Sequence, residues 1–266
     1  GTDPEIEIRS FSTLIPEMRK LRDWVLEAEC RYVAMESTGI YWQPIYEMLE
    51  PCFDGQISIL VVNARHMKNV PGRKTDMRDA QWIATLLRAG LLKGSFIPDK
   101  TFRELRHLTR YRKSIVRDIT AQKNRIDKFL QSSGFRFTAF LSDAFGASGR
   151  NIIRHLMEYG NISREALDRC LKTQTRKRID EILIALNGSL SEHQRGFLRM
   201  IFGHLEALEQ HRHTVEDAIT KEITKHEEAL SLLCSIPGID VTAAAAIIAE
   251  IGTDMSAFPD SQHICS

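Results

Sequence analysis

The sequence predicts an α/β unit up to about Pro98 followed by a mainly helical remainder, and three observations carry that expectation. Short β-rich runs alternate with amphipathic stretches before Pro98. Two long seams of apolar residues at steps of three, four and seven lie beyond it. The 266 residues are 43% hydrophobic, enough to fill the core of one large or two small domains and too much for a fibrous or disordered chain.

In chain order, Glu5 to Phe11 alternates Ile6 and Ile8 with charges, as a half-exposed strand does. Leu14 to Glu29 places Leu14, Met18, Leu21, Val25 and Ala28 at helical spacing. Arg31 to Met35 reads as a strand and Trp42 to Leu49 as a short helix. Ile57 to Val62, almost wholly apolar, reads as a strand buried on both faces. Thr75 to Leu92 is a helix closed by Gly90 or Gly94. From Phe102 to Leu130 the residues Leu105, Leu108, Ile115, Ile119, Ile126 and Phe129 mark one long helix, and Ile201, Leu205, Leu208, Val215 and Ile219 mark a second. The helical stretch between them leaves two arrangements open, a protruding coiled-coil arm or dimerisation surface and an ordinary helical bundle.

Charge and cysteine usage narrow the function. Lys plus Arg number 36 against 35 Asp plus Glu, so a polyanion would have to be bound by local patches. Cys30, Cys52, Cys170, Cys234 and Cys265 are scattered without metal-finger spacing, which argues against structural zinc or a disulfide framework and points to a reducing, cytoplasmic setting. No apolar run approaches the roughly 20 residues of a membrane span. His204, His211, His213 and His226 read as solvated side chains, and Trp24, Trp42 and Trp82 as core.

The chemistry concentrates at three carboxylates. Asp76 and Asp79 stand three apart in Pro71-Gly-Arg-Lys-Thr-Asp-Met-Arg-Asp-Ala80, so a helix carries both on one face, as a divalent-metal site needs. Capping by Thr75 or Asp76, with Asp79 complementing the helix dipole, fits the same spacing. Glu36 ends an apolar strand and is followed by Ser37, Thr38 and Gly39, small residues at the strand end where open α/β sheets bind ligands. Arg73, Lys74 and Arg78 lie beside the acids and could grip the phosphates of a nucleic acid or form a solvated basic face.

A basic helix follows. Between residues 100 and 128 ten cations face three acids, and Arg106, Arg110, Arg112, Lys113, Arg117, Lys123 and Arg125, with Asn124, are its candidate nucleic-acid contacts. Near residue 235, Ser-Ile-Pro-Gly-Ile-Asp-Val-Thr gives a turn at Pro237 and Gly238 before a helix capped at Asp240 or Thr242. It reads either as a helix-hairpin-helix that holds a phosphate or as a plain packing hairpin.

The segments Val33-Ala-Met-Glu-Ser-Thr-Gly-Ile-Tyr-Trp42, Val70 to Ala84, Gly94-Ser-Phe-Ile-Pro98 and Leu105-Arg-His-Leu-Thr-Arg-Tyr-Arg112 closely resemble the DEDD-type transposases of the IS110 (IS116/IS110/IS902) insertion-sequence family, in order and spacing. The resemblance implies a RuvC-like, RNase H-type domain whose four acidic residues bind Mg²⁺, with Glu36, Asp76 and Asp79 matching the second, third and fourth. The family's leading Asp lies in a Gly-Ile-Asp-Val-like motif that nothing here matches. Asp3, in Gly-Thr-Asp-Pro, does not. The family's nucleophilic serine motif is likewise unmatched by Ser256, Ser261 or Ser266. The chain therefore reads as a fragment lacking the first strands and the serine motif, inactive by itself.

The resemblance further implies a division into a partial RuvC-like domain (1–98), a helical, coiled-coil region (99–229) and the start of a C-terminal transposase domain (230–266). It implies a prokaryotic DNA recombinase, guided by a bridge-type RNA, that exchanges strands through a covalent serine intermediate and works as a dimer or tetramer. Two other functions remain open, a RuvC-like junction nuclease acting by hydrolysis and a catalytically inactive RNA- or DNA-binding module.

Overall fold

A computed structural model describes residues 5–52, 58–63, 76–258, 260 and 264, with residues 76–78 described by backbone alone. The chain divides into two compact units, Gly1–Ile97 and Pro98–Ser266.

In the first unit, helix α1 (Ile15–Glu27) starts with a proline in its first turn, where the missing N–H costs nothing, and buries Met18 and Val25. Strand β1 (Tyr32–Glu36) follows, then helix α2 (Trp42–Leu49) and strand β2 (Ser58–Val62). The strands pair in parallel, from Tyr32 opposite Ser58 to Glu36 opposite Val62. A parallel pair needs a crossover, which includes α2. Val25 and Leu49 form the centre of a small core with Leu21, Val33, Met35, Ile45 and Ile59 packed around them. Helix α3 (Asp76–Arg88) ends before Gly90, whose φ of 67° is the left-handed conformation that stops a helix.

Three expectations change here. Glu5 to Phe11 forms no strand: Phe11 packs on Trp24 with ring centroids 5.7 Å apart and Arg9 lies over the same indole, so the segment is tied to α1 and leaves Ile6 and Ile8 exposed. β2 is buried only at Val61 and Val62, while Ser58 is exposed. Trp24, Trp42 and Trp82 are half-buried and outside the buried core: Phe11 and Arg9 pack on Trp24 and Tyr46 on Trp42.

The second unit is built on two long helices, α4 (Lys100–Ser132) and α9 (Glu192–Ile223), which pack against each other. Between them come α5 (Ala147–Tyr159), α6 (Arg164–Cys170), α7 (Thr173–Arg176) and α8 (Ile179–Ala185). Helices α10 (Glu227–Cys234) and α11 (Val241–Ile251) follow, and α11 packs on α4. The apolar seams face inward within one chain: Leu105, Ile115, Ile119 and Ile126 share a core with Ile201, Leu205, Val215 and Ile219. One polar group interrupts the seam. Gln122, 1% exposed, donates to the Ile201 carbonyl at 2.6 Å and accepts from Arg125, so a buried amide is satisfied and fixes the register of the two helices. Among the described residues no helix is long and apolar enough to cross a membrane.

Candidate functional site

The acidic site is assembled by the parallel strands and α3. β1 runs to Glu36, and the ladder is extended by the Ser37 amide donating to the Val62 carbonyl at 2.9 Å. The chain then turns at Gly39, whose φ of 58° an L side chain rarely adopts, before entering α2. The Thr38 hydroxyl donates to Oε1 of Glu36 and so fixes the carboxylate at the strand end. On the far side of β2, the Ser95 amide donates to the Val61 carbonyl at 2.7 Å.

Asp79 lies in the first turn of α3, which packs against β1. Glu36 and Asp79 both line one cleft of about 480 Å³, whose walls include Val33, Met35, Ile83 and Leu87. Two carboxylates more than forty residues apart in the chain therefore open into the same partly apolar space. Asp76 starts α3, one helical turn before Asp79, but its side chain lies outside the described residues. Arg73 and Lys74 lie outside them too, as does the side chain of Arg78.

The basic helix α4 presents two kinds of cation. Some are engaged within the chain. Arg106 donates to the Ala249 and Glu250 carbonyls at 3.2 and 2.7 Å, closing the last turn of α11 where unpaired carbonyls collect negative charge. Burial pushes its pKa down, and the Glu250 carboxylate opposes that. Arg110 makes two parallel bonds to Glu250 at 2.8 and 2.9 Å. Arg112 pairs with Glu216 at 2.7 Å, the Lys123 ammonium lies 5.6 Å from the centre of the Phe145 ring, and Arg125 binds Gln122. Lys113, Arg117 and Asn124 are exposed and make no hydrogen bond or ion pair with a described residue.

Lys113 also lines a groove of about 910 Å³ with Thr109 and Val116 of α4, Thr220 of α9 and Thr242 of α11. The turn before α11 contains Gly238 at a φ of 92° with open space beside it. Asp240 caps α11 by accepting from the Ala243 amide at 2.7 Å, so one first-turn donor is already satisfied from within the chain. Of the histidines, His211 bonds the Tyr111 hydroxyl at 2.9 Å and His226 packs on Phe102.

Sequence reasoning named Glu36 and Asp79, which the fold brings together. It missed Thr38 as the hydroxyl that holds Glu36, although the residue was visible two places on. It also missed that Glu216 and Glu250 would take up three of the arginines. Those partners are 104 and 140 residues away, and no local pattern signals them.

Residues 4–134 match a family model described as Transposase, of the DEDD type, and residues 230–266 match one described as Transposase IS116/IS110/IS902 family. The chain belongs to the IS110 family of transposases. No curated protein matches it.

Proposed function

We propose that the chain is part of an RNA-guided DNA recombinase in which Glu36, Asp76 and Asp79 hold Mg²⁺ beside a DNA phosphate. The observation that carries this reading is the shared cleft of Glu36 and Asp79. The donor set suits the ion, since Mg²⁺ takes hard oxygen ligands from one or two carboxylates and completes its shell with water and phosphate. Thr38 engages only Oε1 of Glu36, and Oε2 takes no hydrogen bond from a described residue. When bound, the cation supplies the positive charge that stabilises a phosphate under attack.

The chain's own residues do the rest by positioning. Glu36, anchored by Thr38, and Asp79, on the first turn of α3, orient the cation from two independent elements. Arg73, Lys74 and Arg78, neighbours of Asp76 and Asp79 in the sequence, would grip phosphates. Lys113, Arg117 and Asn124, exposed groups of α4 without a hydrogen bond or ion pair to a described residue, extend the contact to a bridge-type guide RNA or to DNA, and Gly238 lets a phosphate approach its turn. Arg106, Arg110 and Arg112 serve this surface indirectly, by fixing α9 and α11 against α4. The first unit supplies the RuvC-like, RNase H-type part and α11 opens the second catalytic domain of a cytoplasmic, prokaryotic enzyme. A dimer or tetramer would have to use surfaces other than the apolar seams, which are consumed within the chain.

Titration with Mn²⁺ followed by electron paramagnetic resonance tests the metal site apart from activity. Glu36→Gln and Asp79→Asn should each lower affinity by at least about tenfold, with folding unchanged by circular dichroism. Affinity equal to wild type in both variants would overturn the assignment.

A further inference from the structure

Helix α9 carries a second seam that its own fold does not use. The inner seam, with Ile201, Leu205, Val215 and Ile219, is buried in the core shared with α4. His193, Phe197, Met200, His204, Ala207 and His211 follow one another at steps of four and three, the spacing of a coiled-coil face, and fall within an arc of about 80°. All six are exposed, Phe197 by 37% and Met200 by 67%. In a chain with 27% charged residues, none of the six is a carboxylate, an ammonium or a guanidinium. Large apolar side chains left in water along an uncharged stripe mark a contact with another molecule.

Helix α4 braces the stripe on one side. The Phe129 ring lies 5.0 Å from that of Phe197, and the Tyr111 hydroxyl bonds His211 at 2.9 Å. Gly196 and Gly203 border the stripe on the other side. Glycine inside a helix costs stability, and a Cβ at either position would meet nothing within 4 Å, so packing within this chain does not require them. A second backbone approaching closely from outside does.

The symmetry of the stripe decides what covers it. Its six positions read the same in both directions about Phe202, so an identical helix laid antiparallel brings each residue opposite another of the set. Phe197 then meets Ala207, Met200 meets His204 and His193 meets His211. The largest side chain falls on the smallest, and the thioether falls on an aromatic ring. Parallel pairing would instead set Phe197 against Phe197 and leave a gap at Ala207. Along the glycine border the antiparallel register places Arg199 opposite Glu206, so the charges there are complementary. Their partners within the chain, Glu192 at 3.2 Å and Arg154 at 2.7 Å, are exposed and easily exchanged.

We infer that the outer stripe of α9 is a self-association face, on which a second copy of this chain packs antiparallel about a two-fold axis near Phe202. A two-fold contact must be self-complementary, and the large-on-small match and the Arg199–Glu206 pairing make this stripe so. The inference rests on the multimer proposed above and names its surface. It uses neither the acidic cleft nor a nucleic acid.

The test is sedimentation equilibrium of the 266-residue chain without nucleic acid, from about 1 to about 100 µM. The expected result is an equilibrium between monomer and dimer. Met200→Glu should weaken it at least about tenfold, with thermal unfolding of dilute protein unchanged because that side chain is mostly in water. Phe197→Ala and Ala207→Phe should each weaken it about tenfold, and the two together should recover it to within about threefold of wild type. Recovery requires that residue 197 of one copy face residue 207 of the other. Loss in both single variants without recovery overturns the antiparallel pairing. A dimer that Met200→Glu leaves intact overturns this face and moves the multimer to another surface, while a chain that stays monomeric overturns both. Neither result bears on the Mn²⁺ titration of the acidic cleft, so failure here is distinct from failure of the metal site.

Discussion

Arg106 and Arg110 reach the same acid, yet their surroundings give them unequal weight. Arg106 is 18% exposed and satisfies two helix-end carbonyls, while Arg110 and Glu250 are 62% and 42% exposed. Arg106→Ala should therefore cost about 2 kcal/mol in urea unfolding, because it leaves buried carbonyls unpaired. Arg110→Ala should cost less than about 1 kcal/mol, since water and salt screen that pair. A matching loss for both variants would mean that Glu250 alone accounts for the contact. His155 gives a pH signature. Its folded pKa is depressed, so the unfolded chain takes up the proton more readily and stability falls as pH drops through the ordinary imidazole range. The His155→Gln variant should lose that part of the slope. At this scale the sequence placed Glu36 at a strand end and Asp79 in the first turn of a helix because both are local patterns. It could not show which arginines of α4 are spent, because that depends on partners brought in by tertiary packing.

The helices owe their ends to short-range chemistry. Ser191 accepts from the Gln194 amide while the Gln194 side chain accepts from the Ser191 amide, a reciprocal cap that starts α9. Ser191→Ala should cost about 1 kcal/mol by thermal or urea unfolding. At the end of α5, Gly160 has a φ of 81°, and a Cβ there would lie 2.8 Å from the Leu190 carbonyl oxygen. Gly160→Ala should destabilise by about 1 to 3 kcal/mol, with strain and clash acting together. End signals of this kind made α3 and α11 readable to within a few residues, and apolar periodicity did so for α4. Glu5 to Phe11 failed because alternation states only that a strand could form, and here an indole on α1 offered better contacts than a sheet edge.

For the molecule as a whole, near-equal numbers of acids and bases conceal a division of labour. The acids of α9 are largely neutralised by arginines: Glu206 by Arg154, Glu209 by Arg150 and Glu216 by Arg112. What remains to meet a polyanion is the set of cations with no salt bridge to a described residue, Lys113 and Arg117 among them. Nucleic-acid affinity should fall steeply with salt, and replacing Lys113 and Arg117 by Gln should lower the slope by about two on a duplex. A slope unchanged by both replacements would place the phosphate contacts elsewhere. The α/β-then-helical order was legible because residue periodicity switches near Pro98, whereas the pairing of α4 with α9 was only one of two arrangements the seams allowed. The grip of Arg106 on Ala249 and Glu250 spans 143 and 144 residues. A ribosome must therefore deliver most of the polypeptide before this clasp can shut, and until then the flank of α4 that receives α11 stays bare, open to aggregation or to a chaperone.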